Sequence, residues 1–325
     1  MRRRDALYVI ATTSAWPSLT FGQQRAPAHR IGYLSQQPEG QSGRFAVAFL
    51  EGLNNAGYEV GKNLTIDWRF TPDRDELHAY ARELVHMNTA VIVATGGAAV
   101  RAAREASNTV PIVMSFSGDP VGTGLVPSLS HPGGNLTGLS FMSPDLSAKR
   151  VELLVEAFPT ARRVATLWNP EDPVYALELE RTERAAQLLG LTLVPVAVRS
   201  VSDFDGAFKE MVWSRVDALI VFAHALTIWP RRTIIDLAAR HRMPTVYGLR
   251  EYVLDAGLMA YGPSLTDLFR RAAFYVDRIL KGSRPADLPI EQPTKFELTI
   301  NATTARVLGL TIPASVLARA DELVE

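Results

Sequence analysis

Short apolar segments alternate with amphipathic ones along almost the whole chain, and no other feature restricts the fold as much. Residues 31–34, 64–70, 90–94, 112–116 and 136–141 read as strands. Segments 43–56, 73–85, a stretch opening at Ala98, and 121–129 read as the helices between them. Phe45, Phe49, Leu50 and Leu53, for example, recur at a helical spacing. Asn55-Ala56-Gly57 closes that helix, with Gly57 suited to a left-handed cap. Residues 90–94 hold no polar side chain, as expected of a strand covered on both sheet faces. Strand and helix in turn predict a parallel sheet with right-handed crossovers.

The pattern restarts after Asp145. Helices 148–157, 174–189, 203–214 and 231–241 alternate with strands 163–167, 191–196, 218–222, 245–247 and 258–261. A long helix at 265–280, a Pro-rich connection at 282–293, and a strand with a closing helix or two over 295–325 complete the chain. The expectation is an α/β protein of two doubly wound, Rossmann-like lobes that meet near residues 141–145. Several chain crossings should join them, because the last sixty residues are too few for a third domain. The length of 325 residues agrees, at roughly 150 residues per domain.

Composition narrows the function mainly by exclusion. Lys+Arg and Asp+Glu are 34 each, so the neutral chain lacks the basic excess of a general nucleic-acid binder. There is no cysteine, which excludes a disulfide scaffold, a thiolate metal site, a cysteine nucleophile and a lipid-modified N-terminal cysteine. Six histidines show no metal-ligand spacing, and no cofactor is expected. Arg2, Arg3 and Arg4 precede an apolar run from Ala6 to Ala15, then Thr20-Phe21-Gly22 and a polar segment. That order describes an export signal over residues 1–22, of the general or the twin-arginine class, with an apolar run too short to span a bilayer. Cleavage near Gly22 removes three arginines and one aspartate and leaves a net charge of −2. The predicted product is periplasmic and carries no anchor of its own. Sequons at Asn63, Asn135 and Asn301 would matter only in a eukaryotic secretory pathway, which the arginine-rich start argues against.

Ligands of open α/β sheets bind at the carboxyl ends of the strands. Ser35 and Gln36 follow the first strand. Thr95, Gly96, Gly97 and Ala98 follow the third and run straight into a helix. Free backbone N–H groups there suit a carboxylate or phosphate, although a plain tight turn needs the same glycines. Ser117, Gly118 and Asp119 follow the fourth strand, and Asp119 before Pro120 can cap the helix expected next. In the second block Trp168 and Asn169, then His224, then Tyr247 and Tyr261 stand at strand ends. Aromatics so placed fit a cleft around a small organic molecule, and each alone equally fits a packing role. Catalytic patterns are missing: there is no G-x-S-x-G elbow, Walker A loop or G-x-G-x-x-G. His78 and His86 sit on a polar helix, and only His224 is placed to meet a ligand, with no serine or cysteine beside it. The chain reads as a binding protein and not as an enzyme.

Several longer motifs carry a resemblance. Gly118-Asp119-Pro120-Val121-Gly122, Gly124-Leu125-Val126, Ser128-Leu129 and Pro132-Gly133-Gly134-Asn135-Leu136-Thr137-Gly138 form one run. Gln292-Pro293-Thr294-Lys295-Phe296-Glu297-Leu298, then Asn301, Ala305 and Leu308-Gly309-Leu310, form another, and Thr95-Gly96-Gly97 and the segment from Arg150 to Leu154 match as well. In these, and over nearly everything after residue 30, the chain resembles the extracytoplasmic substrate-binding proteins of ABC transporters related to the tryptophan-binding TrpX group.

The resemblance implies a type I periplasmic-binding fold whose two lobes, joined by a three-stranded hinge, close on a ligand. It implies one lobe over 30–141 with 264–292, to which the helix at 265–280 returns, and a second over 142–263 with 293–325. Ser35, Gln36, Thr95 to Ala98 and Ser117 to Asp119 would line the first; Trp168, Asn169, His224, Tyr247 and Tyr261 the second. Ligands of such proteins include aromatic amino acids, the partners are membrane permease subunits, and the usual state is a monomer. A ligand sensor feeding a signalling receptor is the alternative. One departure bears on the ligand: related sequences often carry an acidic residue about where His224 stands. An aspartate pairs with an α-ammonium group and a histidine does not, so this position favours a carboxylate lacking an amine.

Overall fold

The computed structural model describes residues 29–38 and 43–325. The export signal expected at 1–22 lies outside them. Two sheets divide the chain. In the first, β1 (His29–Ser35), β2 (Leu64–Phe70), β3 (Val91–Thr95), β4 (Ile112–Ser117) and β5 (Leu136–Ser140) lie in the order β2-β1-β3-β4-β5, all parallel. In the second, β6 (Arg163–Trp168), β7 (Thr192–Ala197), β8 (Ala218–Val221), β9 (Thr245–Tyr247) and β10 (Met259–Gly262) repeat that order, β7-β6-β8-β9-β10, again parallel. Antiparallel β11 (Glu297–Asn301) pairs with β10, and β12 (Glu322–Val324) runs parallel to β11 at the edge. The closing segment thus holds two short helices and an edge strand that the sequence pattern does not announce.

Side-chain chemistry explains the elements. All five residues of β3 are buried, as a strand covered on both faces requires. Helix Leu265–Leu280 buries Leu265, Leu268, Phe269, Ala272, Ala273 and Val276 along one stripe, and Ser264 caps it by accepting from the Asp267 N–H. That stripe packs on helix Gly43–Asn55 and on β3, β4 and β5, so the helix returns to the first sheet. The chain passes between the sheets three times: after β5, between β10 and this helix, and between the Leu139–Glu291 bridge and β11.

No helix forms over 121–129. Asp119 Oδ1 does accept from the Val121 and Gly122 N–H groups, as a cap would, but the turn it starts ends at Gly124, whose φ is +70°. Two glycines and Pro127 leave nothing to propagate a helix, and Leu125 and Val126 are buried as irregular chain. Strand β4 carries one extra residue relative to both neighbours, between Met114 and Ser117. The bulge lies just before the strand end where ligand contacts are expected.

Gly52 sets the approach of two helices. A Cβ there would lie 2.5 Å from the Arg270 carbonyl oxygen and 2.7 Å from Ala273 Cβ. Gly52→Ala should therefore destabilise the protein by about 1–3 kcal/mol. Gly206→Ala, on helix Phe204–Trp213 where a Cβ meets nothing within 4 Å, should stabilise it by about 0.5–1 kcal/mol. Thermal unfolding of the two variants checks this, and shifts of the same sign would contradict the packing.

Candidate functional site

A 2-1-3-4-5 strand order places its topological switch between the first and third strands, and the crevice outside their carboxyl ends takes the ligand. Here the two sheets present these ends to each other. A cavity of about 980 Å³ lies between them. Gln36, Pro38 and Pro72 to Arg74 line it from the first sheet; Asn169, Glu171, Arg199 to Val201 and the segment from Trp229 to Thr233 line it from the second. Next to it the lobes touch. A Cβ on Gly118 would lie 2.3 Å from Val174 Cγ1 and 3.5 Å from His224 Cε1. Phe45 meets Trp229 edge-on at 5.7 Å, and Arg44 faces Asp255 at 3.6 Å.

The expected residues fall into groups. Gln36 and Asn169 line the cavity, and Asn169 Oδ1 accepts from the Glu171 N–H. Ser35, Thr95 and Ser117 are fully buried. Thr95 bonds to Tyr33 and Ser115, whereas the Ser35 and Ser117 hydroxyls have no partner among the described residues. Gly96, at φ +86°, starts helix Gly97–Ala106, Gly97 faces the Arg101 guanidinium, and Ala98 belongs to the apolar core. Gly118 is the contact point between lobes, and Asp119 caps its turn. Trp168 is half-buried against the core of the second lobe. Tyr247 is fully buried and stacked on Tyr252 at 4.6 Å, so its ring is a core element. The Tyr261 ring lies near Phe296, and its carbonyl accepts from Arg150 Nε at 3.0 Å.

His224 is engaged inside the protein. Its Nε2 lies 2.6 Å from Glu178 Oε2. Glu178 also takes Arg150 Nη1 at 2.7 Å and the Ser143 hydroxyl at 2.6 Å. Arg150 and Glu178 have no exposed surface. Burial alone would push the Glu178 carboxyl up, but His224, Arg150 and Ser143 outweigh it and hold the group below its ordinary value. An ionised Glu178 can only accept, so Nε2 of His224 carries a proton. Burial likewise pulls the Arg150 guanidinium down, against the pull of Glu178. Arg150 reaches the carbonyls of Ser143, Gly248 and Tyr261, tying the ends of β9 and β10 to the first chain crossing. The Tyr175 ring packs on His224, with ring centres 3.9 Å apart.

Sequence reasoning missed Glu178, Gln37 and Trp229. A signal existed for Glu178: it stands at helical spacing with the buried Val174, Thr182 and Ala185, and a carboxylate on such a stripe calls for a buried cation. Among the described residues, Gln37 is buried with neither amide atom partnered, and the Trp229 indole N–H likewise finds no acceptor. A second concavity, about 570 Å³, lies over the chain crossings between Ala56, Phe274, Glu291 and Pro293. Its charges are paired, Arg271 with Glu291 and Lys295 with Glu297, so it makes the weaker candidate.

Comparison with known proteins agrees with this architecture. The family model described as ABC transporter substrate binding protein matches residues 43–324. The chain is 25% identical over 264 residues to a tyrosine-binding protein of Clostridioides difficile, covering 81% of this chain and 75% of the relative. A conserved domain protein from Vibrio cholerae superposes with a TM-score of 0.86 at 28% identity, over 91% of this chain and 99% of that one. A Streptococcus pneumoniae ABC domain solved in complex with L-Trp gives 0.85 at 26% identity, over 91% and 100%. The expected type I periplasmic-binding fold is thereby confirmed.

Removing the Glu178 carboxylate strands Arg150 as an unpaired buried charge. Glu178→Ala should cost about 3–5 kcal/mol of unfolding free energy. Glu152→Ala, which breaks only the exposed Lys149–Glu152 pair, should cost under about 0.5 kcal/mol. Because folding lowers the Glu178 value, its contribution is present above the ordinary 4.5 and is lost as pH falls through the lower folded value. Denaturant titration at pH 7 and at acid pH measures both, and equal losses for the two variants would contradict the assignment.

Proposed function

Because the chain belongs to the ABC transporter substrate-binding protein family, we propose that it is the extracytoplasmic solute-binding component of an ABC importer. It captures a small organic ligand, an amino acid or an aromatic or other carboxylate, between its lobes. The observation that carries this reading is the pair of opposed strand-end surfaces, with a cavity drawn from both. Relatives described as binding tyrosine and L-Trp support a ligand of amino-acid size.

In this reading the lobes comprise 30–141 with 264–292 and 142–263 with 293–325. The three crossings form the hinge. Ligand contacts made from both sides favour the closed form, and permease subunits read that form on the lobe faces. Ser35, Gln36, Thr95 to Ala98, Ser117 to Asp119, Asn169 and His224 shape the pocket, directly or by supporting its walls. No chemical step is involved. The protein acts as a monomer in the periplasm after its export signal is cleaved, and does not bind nucleic acid.

Locking the lobes tests this. A Cβ on Gly118 would lie 3.5 Å from Val174 Cβ, within disulfide range, and the chain has no other cysteine. A thermal-shift panel of amino acids and aromatic acids, including L-tryptophan and L-tyrosine, first identifies a binder. In the double variant Gly118→Cys/Val174→Cys, association of that binder should slow about a hundredfold on oxidation and recover on reduction. Equal rates in both states would mean that the ligand does not enter between the lobes.

A further inference from the structure

A parallel sheet gathers the C-terminal ends of its helices at the end opposite its carboxyl strand ends. In the second lobe that far end is both basic and apolar. Helices Ser147–Ala157, Pro173–Leu188, Phe204–Trp213 and Arg231–Arg240 finish there. The starts of β6 to β9 lie side by side, with Arg163 opposite Thr192, Val164 opposite Ala218 and Leu219 opposite Thr245. The last turns of these helices and the loops after them carry Arg162, Arg163, Arg215, Arg240 and Arg242, all exposed. The Arg162 and Arg163 guanidinium groups reach only the backbone carbonyls of Pro159, Ala161 and Ser214. The other three side chains have no polar partner among the described residues. Over the same stretches the carboxylates are Glu156, Glu210 and Asp217. Glu156 pairs with Arg319, and Asp217 accepts from the Arg162 and Arg163 N–H groups.

Apolar side chains project from the same end. Trp213 is 85% exposed, Leu188 83% and Val212 51%. Arg163 Nε, 2.9 Å from the Ser214 carbonyl, holds the end of helix Phe204–Trp213 against β6. Phe208 stacks on His241 at 5.9 Å, so helix Arg231–Arg240 ends beside it. Arg215 and Arg242 follow these two helices with φ of +53° and +49°, a conformation that Gly57 and Gly190 take after helices Gly43–Asn55 and Pro173–Leu188. Glycine would be unstrained at both positions, and the chain carries arginine.

We infer that this end of the second lobe is a peripheral binding surface for membranes that contain anionic phospholipid. Guanidinium groups match lipid phosphates in charge and geometry, and an exposed indole beside them suits the headgroup layer, with its ring in apolar and its N–H in polar surroundings. A few protruding apolar side chains do not make the packed core of a protein interface, but with basic neighbours they suffice to hold a protein at a bilayer surface. The cleft lies at the opposite end of the lobe, so attachment here leaves it clear, and the inference stands apart from the solute-binding reading.

Sedimentation with vesicles of phosphatidylcholine, alone or with about one-third phosphatidylglycerol, tests it. The processed protein is used, so that Arg2, Arg3 and Arg4 do not contribute. It should sediment with the anionic vesicles only, and salt at about 0.5 M should release it. Tryptophan emission should shift to the blue on binding, and Trp213→Phe should abolish the shift, because Trp68, Trp168 and Trp229 are wholly or partly buried. Arg215→Gln/Arg242→Gln should weaken binding about tenfold or more. Arg82→Gln/Arg278→Gln, which removes two exposed arginines from the first lobe, should weaken it by less than about twofold. Thermal unfolding of each variant should stay within about 2 °C of wild type. Equal losses in the two double variants, or equal sedimentation with neutral vesicles, would overturn the inference. No sedimentation at all would overturn it as well, in favour of an acidic protein as the partner.

Discussion

One buried carboxylate organises the second lobe. Glu178 receives a guanidinium, an imidazole and a hydroxyl that arrive from three parts of the chain: helix Ser147–Ala157, the end of β8 and the first crossing. Taking these charges out of water is expensive, and the cost is offset only because each remaining donor also finds a partner. Arg150 spends its other hydrogens on the carbonyls of Ser143, Gly248 and Tyr261. The ends of β9 and β10 are thereby fixed relative to the point where the chain leaves the first lobe. The close approach has a steric requirement too, since a Cβ on Gly262 would fall 2.0 Å from the Gly248 carbonyl oxygen.

Above this node the same strand order, used twice, generates the cleft. A parallel sheet sends its connections over its faces and leaves the strand ends clear, so two such sheets set end to end enclose a space. The contact surface there is mixed. Phe45, stacked on Phe269 in the first lobe, meets Trp229 of the second, which gives the contact apolar cohesion. Arg44–Asp255 and Arg101–Asp172, at 3.6 and 3.9 Å, are long contacts that add little and yield readily. The seam between the lobes is thus weakly held, and the node within the second lobe strongly held.

Much of the fold was legible in the residues, and the exceptions have physical causes. Helix Leu265–Leu280 reads correctly to the residue because a clean apolar stripe coincides with a serine cap. The segment 121–129 misleads because Leu125, Val126 and Leu129 mimic helical spacing, although Gly122, Gly124 and Pro127 remove the means to propagate it. Three-residue β12 is set by its pairing with β11, a tertiary fact with no local pattern. Strand ends follow from the alternation, so the placement of Ser35, Gln36, Ser117 and Asn169 at those ends was readable. The inward turn of Tyr247 depends on side-chain parity in a strand of three residues, too few to show which face is buried. Glu178 meets partners up to 46 positions away, and only the misplaced charge on an apolar stripe hinted at the cluster.

The most direct measurement is a crystal structure of the protein with the tightest-binding compound of a carboxylate and amino-acid panel. The account predicts density between the two sets of strand ends, bounded by Gln36 on one side and by Asn169 and Trp229 on the other. Density in the groove over the chain crossings, beside Phe274 and Pro293, would contradict it, because a ligand there would lie outside the space between the two sets of strand ends.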